Sequence, residues 1–232
     1  MPCFLCGQSA ARMLAASHGA HLHETSHQMG HILAALYSAG CMQWMCDKTA
    51  FLAFHVSGGT TDCVLCRPDA DAVLRIEPVS GSLDLKAGQA IDRVGLMLGL
   101  DFPCGAALEQ LAMQSDSAAA MRVQLRDGCC SLSGLQNQCQ TMREKGTPAA
   151  DIARYALNSV AAAIRAMTED AAARCGQNAV LYAGGVLSDR LIQRQLWSLP
   201  LETAFAEPAF SCDNAAGVAL YAALKEDPIC RS

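Results

Sequence analysis

Two apolar runs flanking Ser57-Gly58-Gly59-Thr60 constrain this chain more than any other stretch. Residues 50–68 read AFLAFHVSGGTTDCVLCRP. Each run suits a pleated, half-buried surface and the glycine pair suits a tight turn, so the segment predicts a β-hairpin. Residues 72–79 can supply a third strand. A second signal of this kind comes late in the chain. Residues 179–183 predict a strand, Gly184-Gly185 a tight turn and 188–197 a helix. Residues 202–206 then predict a strand and 213–225 a helix.

Helical spacing dominates between these two blocks. Residues 86–99 place Ala87, Ala90, Ile91, Val94 and Met97/Leu98 on one side. A loop with Pro103 and Gly105 precedes a short helix near 106–114, and the polar stretch 115–147 reads as an insertion. Thr147-Pro148 opens a long helix, with Thr147 as cap and Pro148 at the first helical position; it ends near Gly176. Upstream, 8–18 reads as a helix and 20–24 as a short strand. Ser26 then caps a helix over 27–40 that stops at Gly40. From residue 50 onward the order is three antiparallel strands, helices, then strand-helix-strand-helix. That order predicts an α/β chain with the ribonuclease H-like unit that actin-like (ASKHA) ATPases and sugar kinases use twice.

Apolar residues make up 52% of the 232 positions, enough for a sizeable core, so disorder is not expected. A net charge of −5 gives no basic footprint for free-standing nucleic-acid binding, and no DNA partner is expected. No run of about 18 apolar residues occurs, so no membrane span is expected. The N-terminus lacks the basic start of a signal peptide, and Gln8, Ser9, Arg12 and Ser17 interrupt its apolar character. A cytoplasmic location is the resulting expectation. Thirteen cysteines are odd in number and scattered. Cys63 and Cys66, three apart on a strand, must face opposite sides, which argues against one zinc site. Reduced thiols acting as small core residues are the expectation, with a zinc site or a disulfide as the other readings.

Two constellations could hold a metal. In Ser26-His27-Gln28-Met29-Gly30-His31 the histidines stand at i and i+4, so both imidazoles lie on one helix face and could chelate one divalent ion. The same spacing also arises among ordinary exposed or core histidines. In Cys212-Asp213-Asn214-Ala215-Ala216-Gly217 the carboxylate of Asp213 could cap the last helix or serve as a hard metal ligand. The two glycine turns each follow a strand, so their N–H groups could approach phosphate, and the second turn leads into a helix N-terminus.

Together these segments resemble the TsaD (Gcp-type) family. SHQMGH resembles that family's HHxEGH, and Val56-Ser57-Gly58-Gly59-Thr60 resembles VSGGH. Residues 88–93 (GQAIDR) are similar to GEAFDK and 98–105 (LGLDFPCG) to LLGLDYPGG. Residues 131–135 (SLSGL) resemble SFSGLKT, 183–189 resemble GGVSAN and 212–217 resemble CTDNGAM. The resemblance implies a two-lobed actin-like fold. It implies transfer of a threonylcarbamoyl group from threonylcarbamoyl-AMP to N6 of adenosine 37 of tRNA, with other proteins of a threonylcarbamoylation complex as partners. It further implies one Fe²⁺ or Zn²⁺ on His27, His31 and Asp213. Val56, Ser57, Gly58, Gly59 and Thr60 would cradle the adenylate and Asp92 would bind ribose hydroxyls. Gly105, Gly184 and Gly185 would line the adenine pocket, with Asp189 at its edge. Residues 49–232 would form the second lobe, with an insertion at about 106–147, and residues 1–48 the remnant of the first.

The sequence departs from that pattern inside the expected cleft. Thr60 stands where VSGGH has His, Met29 where HxEGH has Glu, and Asp189 where GGVSAN has Asn. Gln89 and Cys104 also differ. The family's opening strands and their ETSCD-like loop have no counterpart, so a fragment, a start at an internal Met or a decayed copy is expected. A non-catalytic nucleotide- or metal-binding paralogue is therefore a second reading. A metallopeptidase, the family's older label, is a third and the weakest, because no Glu stands between the histidines as a general base.

Overall fold

The computed structural model describes residues 2–48, 50–211 and 215–227. Among them the order is α1 (Pro2–His18), α2 (His27–Ser38), α3 (Trp44–Asp47), β1 (Phe51–Val56), β2 (Thr61–Asp69) and β3 (Val73–Gly81). Then come α4 (Ala87–Met97), α5 (Gly105–Ala112), α6 (Ser133–Glu144) and α7 (Ala149–Cys175). The chain closes with β4 (Ala179–Ala183), α8 (Arg190–Trp197), β5 (Glu202–Phe205) and α9 (Ala216–Glu226). The strands form one sheet in the order β3-β2-β1-β4-β5. β1 pairs antiparallel with β2 and parallel with β4, and β4 pairs parallel with β5. The antiparallel hairpin thus becomes a parallel sheet at β1, as the sequence order predicts for a ribonuclease H-like unit.

Strand alternation sorts the core into two layers. Leu52, Phe54, Val56, Cys63, Val180 and Tyr182 point to the side covered by α4 through α8. Phe51, Ala53, Cys66, Leu181 and Ala183 point to the side covered by α2 and α9. Cys63 and Cys66 lie on opposite faces, as expected, and burial drives both thiols well above the ordinary range. They act as small apolar residues and carry no thiolate. Nine described cysteines are free, whereas Cys46 is disulfide-bonded, an exception to the expectation of reduced thiols throughout.

Several expectations shift. No strand forms at 20–24; residues 19–26 are an irregular connector between α1 and α2. Helix α1 begins at Pro2 rather than near residue 8. Pro148 flanks α7 instead of occupying its first helical position, and no side chain caps that end. Gly176, at φ 64°, closes α7 as expected. The stretch expected to be irregular contains α6, whose Leu135 and Cys139 are fully buried in the helical layer. Its apolar stripe is thin, Leu135, Cys139 and the partly buried Met142 among mostly polar positions, which hid the helix in the sequence. Residues before and after position 48 share one core layer, because α2 covers the same sheet face as α9.

Helices α2 and α9 meet at two glycines. A Cβ added to Gly217 would sit 1.7 Å from the carbonyl oxygen of Gly30, and one added to Gly30 would lie 3.3 Å from Val218 Cγ2. The backbones touch here, so no side chain fits between them. Among the described residues, no helix is long and apolar enough to cross a membrane.

In an exposed helix, Gly217→Ala stabilises by close to 1 kcal/mol. Here the clash with backbone reverses the sign, and a loss of roughly 3 kcal/mol is expected, as for overpacked cores. Urea denaturation checks this; a variant as stable as wild type means that the helices do not cross here.

Candidate functional site

The α2 histidines owe their placement to the cap that starts the helix. Ser26 is extended, at φ −88° and ψ 153°, and its hydroxyl accepts a hydrogen bond from Met29 N. The helix therefore starts at His27, and its buried residues Ile32, Leu33 and Leu36 fix its rotation against the sheet. His27 Nε2 and His31 Nε2 converge to 3.0 Å, with their rings at 90°. Imidazole nitrogens ligating one zinc ion at about 2.0–2.1 Å stand about 3.4 Å apart at a tetrahedral angle. The pair fits a shared divalent ion after a small adjustment. Asp213, the third expected ligand, lies outside the described residues, as do Cys212 and Asn214. Its neighbours from Ala216 onward enter α9, which the Gly30–Gly217 contact holds against α2 beside the histidines.

Both histidines open into a cavity between α2 and the sheet, also lined by Ile32, Ala53, His55, Thr60, Asp62 and Leu181. His55 and Asp62 were not among the sequence candidates. His55 lies on the same α2-facing side of β1 as Phe51 and Ala53, and its ring packs 4.5 Å from His31, tilted by 34°. Thr60 Oγ1 lies 3.3 Å from His55 Nδ1 and 2.7 Å from Ser57 Oγ. The Thr60 hydroxyl thus links the glycine turn to the histidine cluster. A histidine in an otherwise apolar strand was the signal for His55, but strand alternation cannot say what it faces.

The expected nucleotide residues gather at the ends of β1 and β4. The Val56 side chain is buried under the helical layer, so only its backbone can contribute. Gly184, at φ 106°, packs so tightly that a Cβ would fall 2.2 Å from Val56 O; only glycine accepts both the conformation and the contact. Helix α4 starts directly over the first turn, with Gly88 N donating to Ser57 O at 3.2 Å. One turn further on, Asp92 Oδ1 accepts from Cys104 N at 2.9 Å and so holds the loop that leads to Gly105. Gly105 and Gly185 face open space, with nothing within 4 Å of an added Cβ.

Two expected anion donors are already engaged. The N–H groups of Gly59 and Thr60 both point to Ser57 Oγ at 3.2 Å, long enough to be exchanged for a stronger acceptor. At the second turn a short 3₁₀ segment, Gly185–Ser188, intervenes before α8, and Asp189 caps the helix. Its Oδ1 accepts from Leu191 N at 2.8 Å and Ile192 N at 3.0 Å. The chain's own carboxylate takes the position that the sequence reading assigned to a phosphate. Glu109 on α5 accepts from Arg190 N at 2.9 Å, so two carboxylates share this helix end. Burial raises Asp189 to about 6, with the Glu109 charge adding to it and the Ile192 and Leu191 N–H bonds opposing it.

Asp84 is another residue the sequence reading missed. It accepts from Leu132 N at 2.9 Å and pairs with Ser131, tying the 131–135 motif to the end of β3. Burial works to raise its carboxyl, but hydrogen bonds from Ser131, Ser133, Leu132 and Leu85 hold it well below the usual range.

A family model described as TsaD, tRNA N6-adenosine threonylcarbamoyltransferase, matches residues 1–220. A tRNA N6-adenosine threonylcarbamoyltransferase of Thermus thermophilus is 32% identical over 221 residues, covering 94% of this chain and 65% of the relative. One from Geotalea uraniireducens is 31% identical, covering 93% of this chain and 64% of the relative. The chain thus spans just under two thirds of the length of these relatives. Among solved structures, full-length HypF in the phosphate- and nucleotide-bound form superposes with a TM-score of 0.69 at 14% identity. That match covers 89% of this chain and 43% of HypF. Component A of the Acidaminococcus fermentans (R)-2-hydroxyglutaryl-CoA dehydratase gives 0.52 at 19%, covering 85% of this chain and 67% of that one. At these identities the likeness concerns the fold alone, and it agrees with the actin-like unit expected from the element order.

The raised Asp189 carboxyl has a pH consequence. A folded-state value of about 6, against about 3.9 when unfolded, favours the native state fully below pH 4. That advantage is lost as pH rises to about 6, so ionised Asp189 costs roughly 2–3 kcal/mol at neutral pH. Asp189→Asn keeps a capping oxygen and removes the charge. Denaturant melts at pH 4.5 and 7.5 should show the variant ahead of wild type mainly at the higher pH; an equal difference at both contradicts the assignment.

Proposed function

The chain belongs to the TsaD family, tRNA N6-adenosine threonylcarbamoyltransferase, and from that premise we propose that it transfers a threonylcarbamoyl group from threonylcarbamoyl-AMP to N6 of adenosine 37 of tRNA. The observation that carries this reading is the convergence of His27 and His31 at 3.0 Å on a cavity joined through Thr60 to the glycine turn. His27, His31 and Asp213 hold one divalent ion, Fe²⁺ or Zn²⁺, whose chemistry when bound is to polarise an oxygen of the carbamoyl or phosphoryl group. The turn at 56–60 receives the adenylate phosphate by exchanging the Gly59 and Thr60 N–H bonds away from Ser57. Asp92 keeps a second carboxylate oxygen for ribose hydroxyls, and the open faces of Gly105 and Gly185 take the adenine, with Gly184 shaping the turn between strand and pocket. The acidic balance of the chain implies that partner proteins supply part of the tRNA surface.

One observation favours the second reading, a non-catalytic nucleotide- or metal-binding relative. Asp189 places a carboxylate over the N–H groups of α8, beside Glu109, where an anionic ligand is repelled unless a proton neutralises the pair. Thr60 reinforces it, since a hydroxyl stands where the resembling motif carries an imidazole.

Incubation with threonylcarbamoyl-AMP and unmodified tRNA, followed by nucleoside mass spectrometry, separates the two. Modified adenosine supports transfer; metal and adenylate binding without product supports the non-catalytic reading. His27→Ala with His31→Ala should remove one metal equivalent by elemental analysis. It should also lower any transfer by about a hundredfold, the scale of several kcal/mol of lost polarisation. Unchanged metal content rejects these histidines as ligands.

A further inference from the structure

A second group of metal-type ligands lies away from the cavity, at the other end of α9. The connector after α1 runs irregularly from Gly19, which turns the chain at φ 61°. Its His21 and His23, two residues apart, both face Glu226 in the last turn of α9. His23 Nε2 lies 2.6 Å from Glu226 Oε1, and His21 Nδ1 lies 3.1 Å from the same oxygen. One donor atom from each of the three lies within 4.8 Å of the others, and among the described residues this is the group of three that meets that limit. Side-chain exposure is 20% for His23, 55% for Glu226 and 80% for His21, so one ligand is anchored and the site opens to solvent.

We propose that His21, His23 and Glu226 bind a borderline divalent cation of the zinc type, a clip that ties the connector to α9. The donor set decides the class. Two imidazoles with one carboxylate suit Zn²⁺ and its neighbours, whereas Mg²⁺ and Ca²⁺ call for oxygen ligands. The three donors stand at the corners of a small triangle, and small side-chain movements bring them to three corners of a tetrahedron with water at the fourth. The cluster is not part of the first metal site. Eleven residues of α9 separate its two ends, about 16 Å at helical rise. It also has a structural consequence of its own. His23 precedes His27 by four residues, so a cation here fixes the entry to α2 against the helix that crosses it at Gly217.

The test uses the full chain carrying His27→Ala and His31→Ala, which takes the first site out of the count. Zn²⁺ titration by calorimetry, with Co²⁺ absorption as a second probe, should find one equivalent bound. Adding His21→Ala and His23→Ala should abolish it, and Glu226→Gln should weaken it by more than about tenfold, since even an outer-shell partner is worth that much. Zn²⁺ should raise the melting temperature of the parent and not of the four-site variant, while Mg²⁺ should raise neither. Equal Zn²⁺ binding in parent and four-site variant, or no binding in the parent, overturns the proposal. Failure of the threonylcarbamoyl reading leaves this outcome untouched, because neither measurement involves tRNA or adenylate.

Discussion

The contact between Gly30 and Gly217 is the constraint on which the candidate centre depends. Metal ligands from two distant stretches of chain can meet only if their helices approach closely, and any Cβ at Gly217 would overlap the Gly30 carbonyl. Both glycines sit inside the motifs that carry the candidate ligands, one between His27 and His31 and the other four residues after Asp213. The motifs thus combine a chemical part, the imidazoles and the carboxylate, with a packing part that brings their backbones together. The apolar face of α2 on β1 and β4 sets the depth of the crossing, and the Ser26 cap sets where the helix begins.

The cleft on the sheet's end shows a chain spending its polar groups internally. Ser57 closes its own turn, Asp92 holds the loop before α5, and Asp189 caps α8. The first two arrangements leave donors or lone pairs to exchange with a ligand. The third does not, because a buried carboxylate between Leu191, Ile192 and the Glu109 charge can accommodate a neighbouring anion only by taking up a proton. Asp189 thus adds a buried carboxylate to this end of the sheet while serving as the cap of α8, an electrostatic feature that shape alone does not show.

Much of the architecture was legible because it rests on local rules. The hairpin over the glycine turn, the strand from Ala179 to Ala183, the end of α7 at Gly176 and the opposite facing of Cys63 and Cys66 all follow from periodicity and turn chemistry. Helix α6 was not legible, because Leu135 and Cys139 make so narrow a stripe that its burial depends on α4 and α7 being there to receive it. The connector at 20–24 alternates like a strand yet forms none; His21 and His23 instead meet Glu226 at the end of α9.

By itself the sequence determined the order of the strands from β1 onward, the two glycine turns, the histidine pair on one helix face and the family to which these belong. Each is a property of neighbours along the chain, where backbone geometry dictates which side chains share a side. Only the tertiary structure decided that His55 packs on His31, that Asp189 answers its own helix and that His21 and His23 reach Glu226 across some 200 positions. Those meetings depend on how helices and strands pack in three dimensions, and packing is set by the summed burial of many residues that no local pattern records.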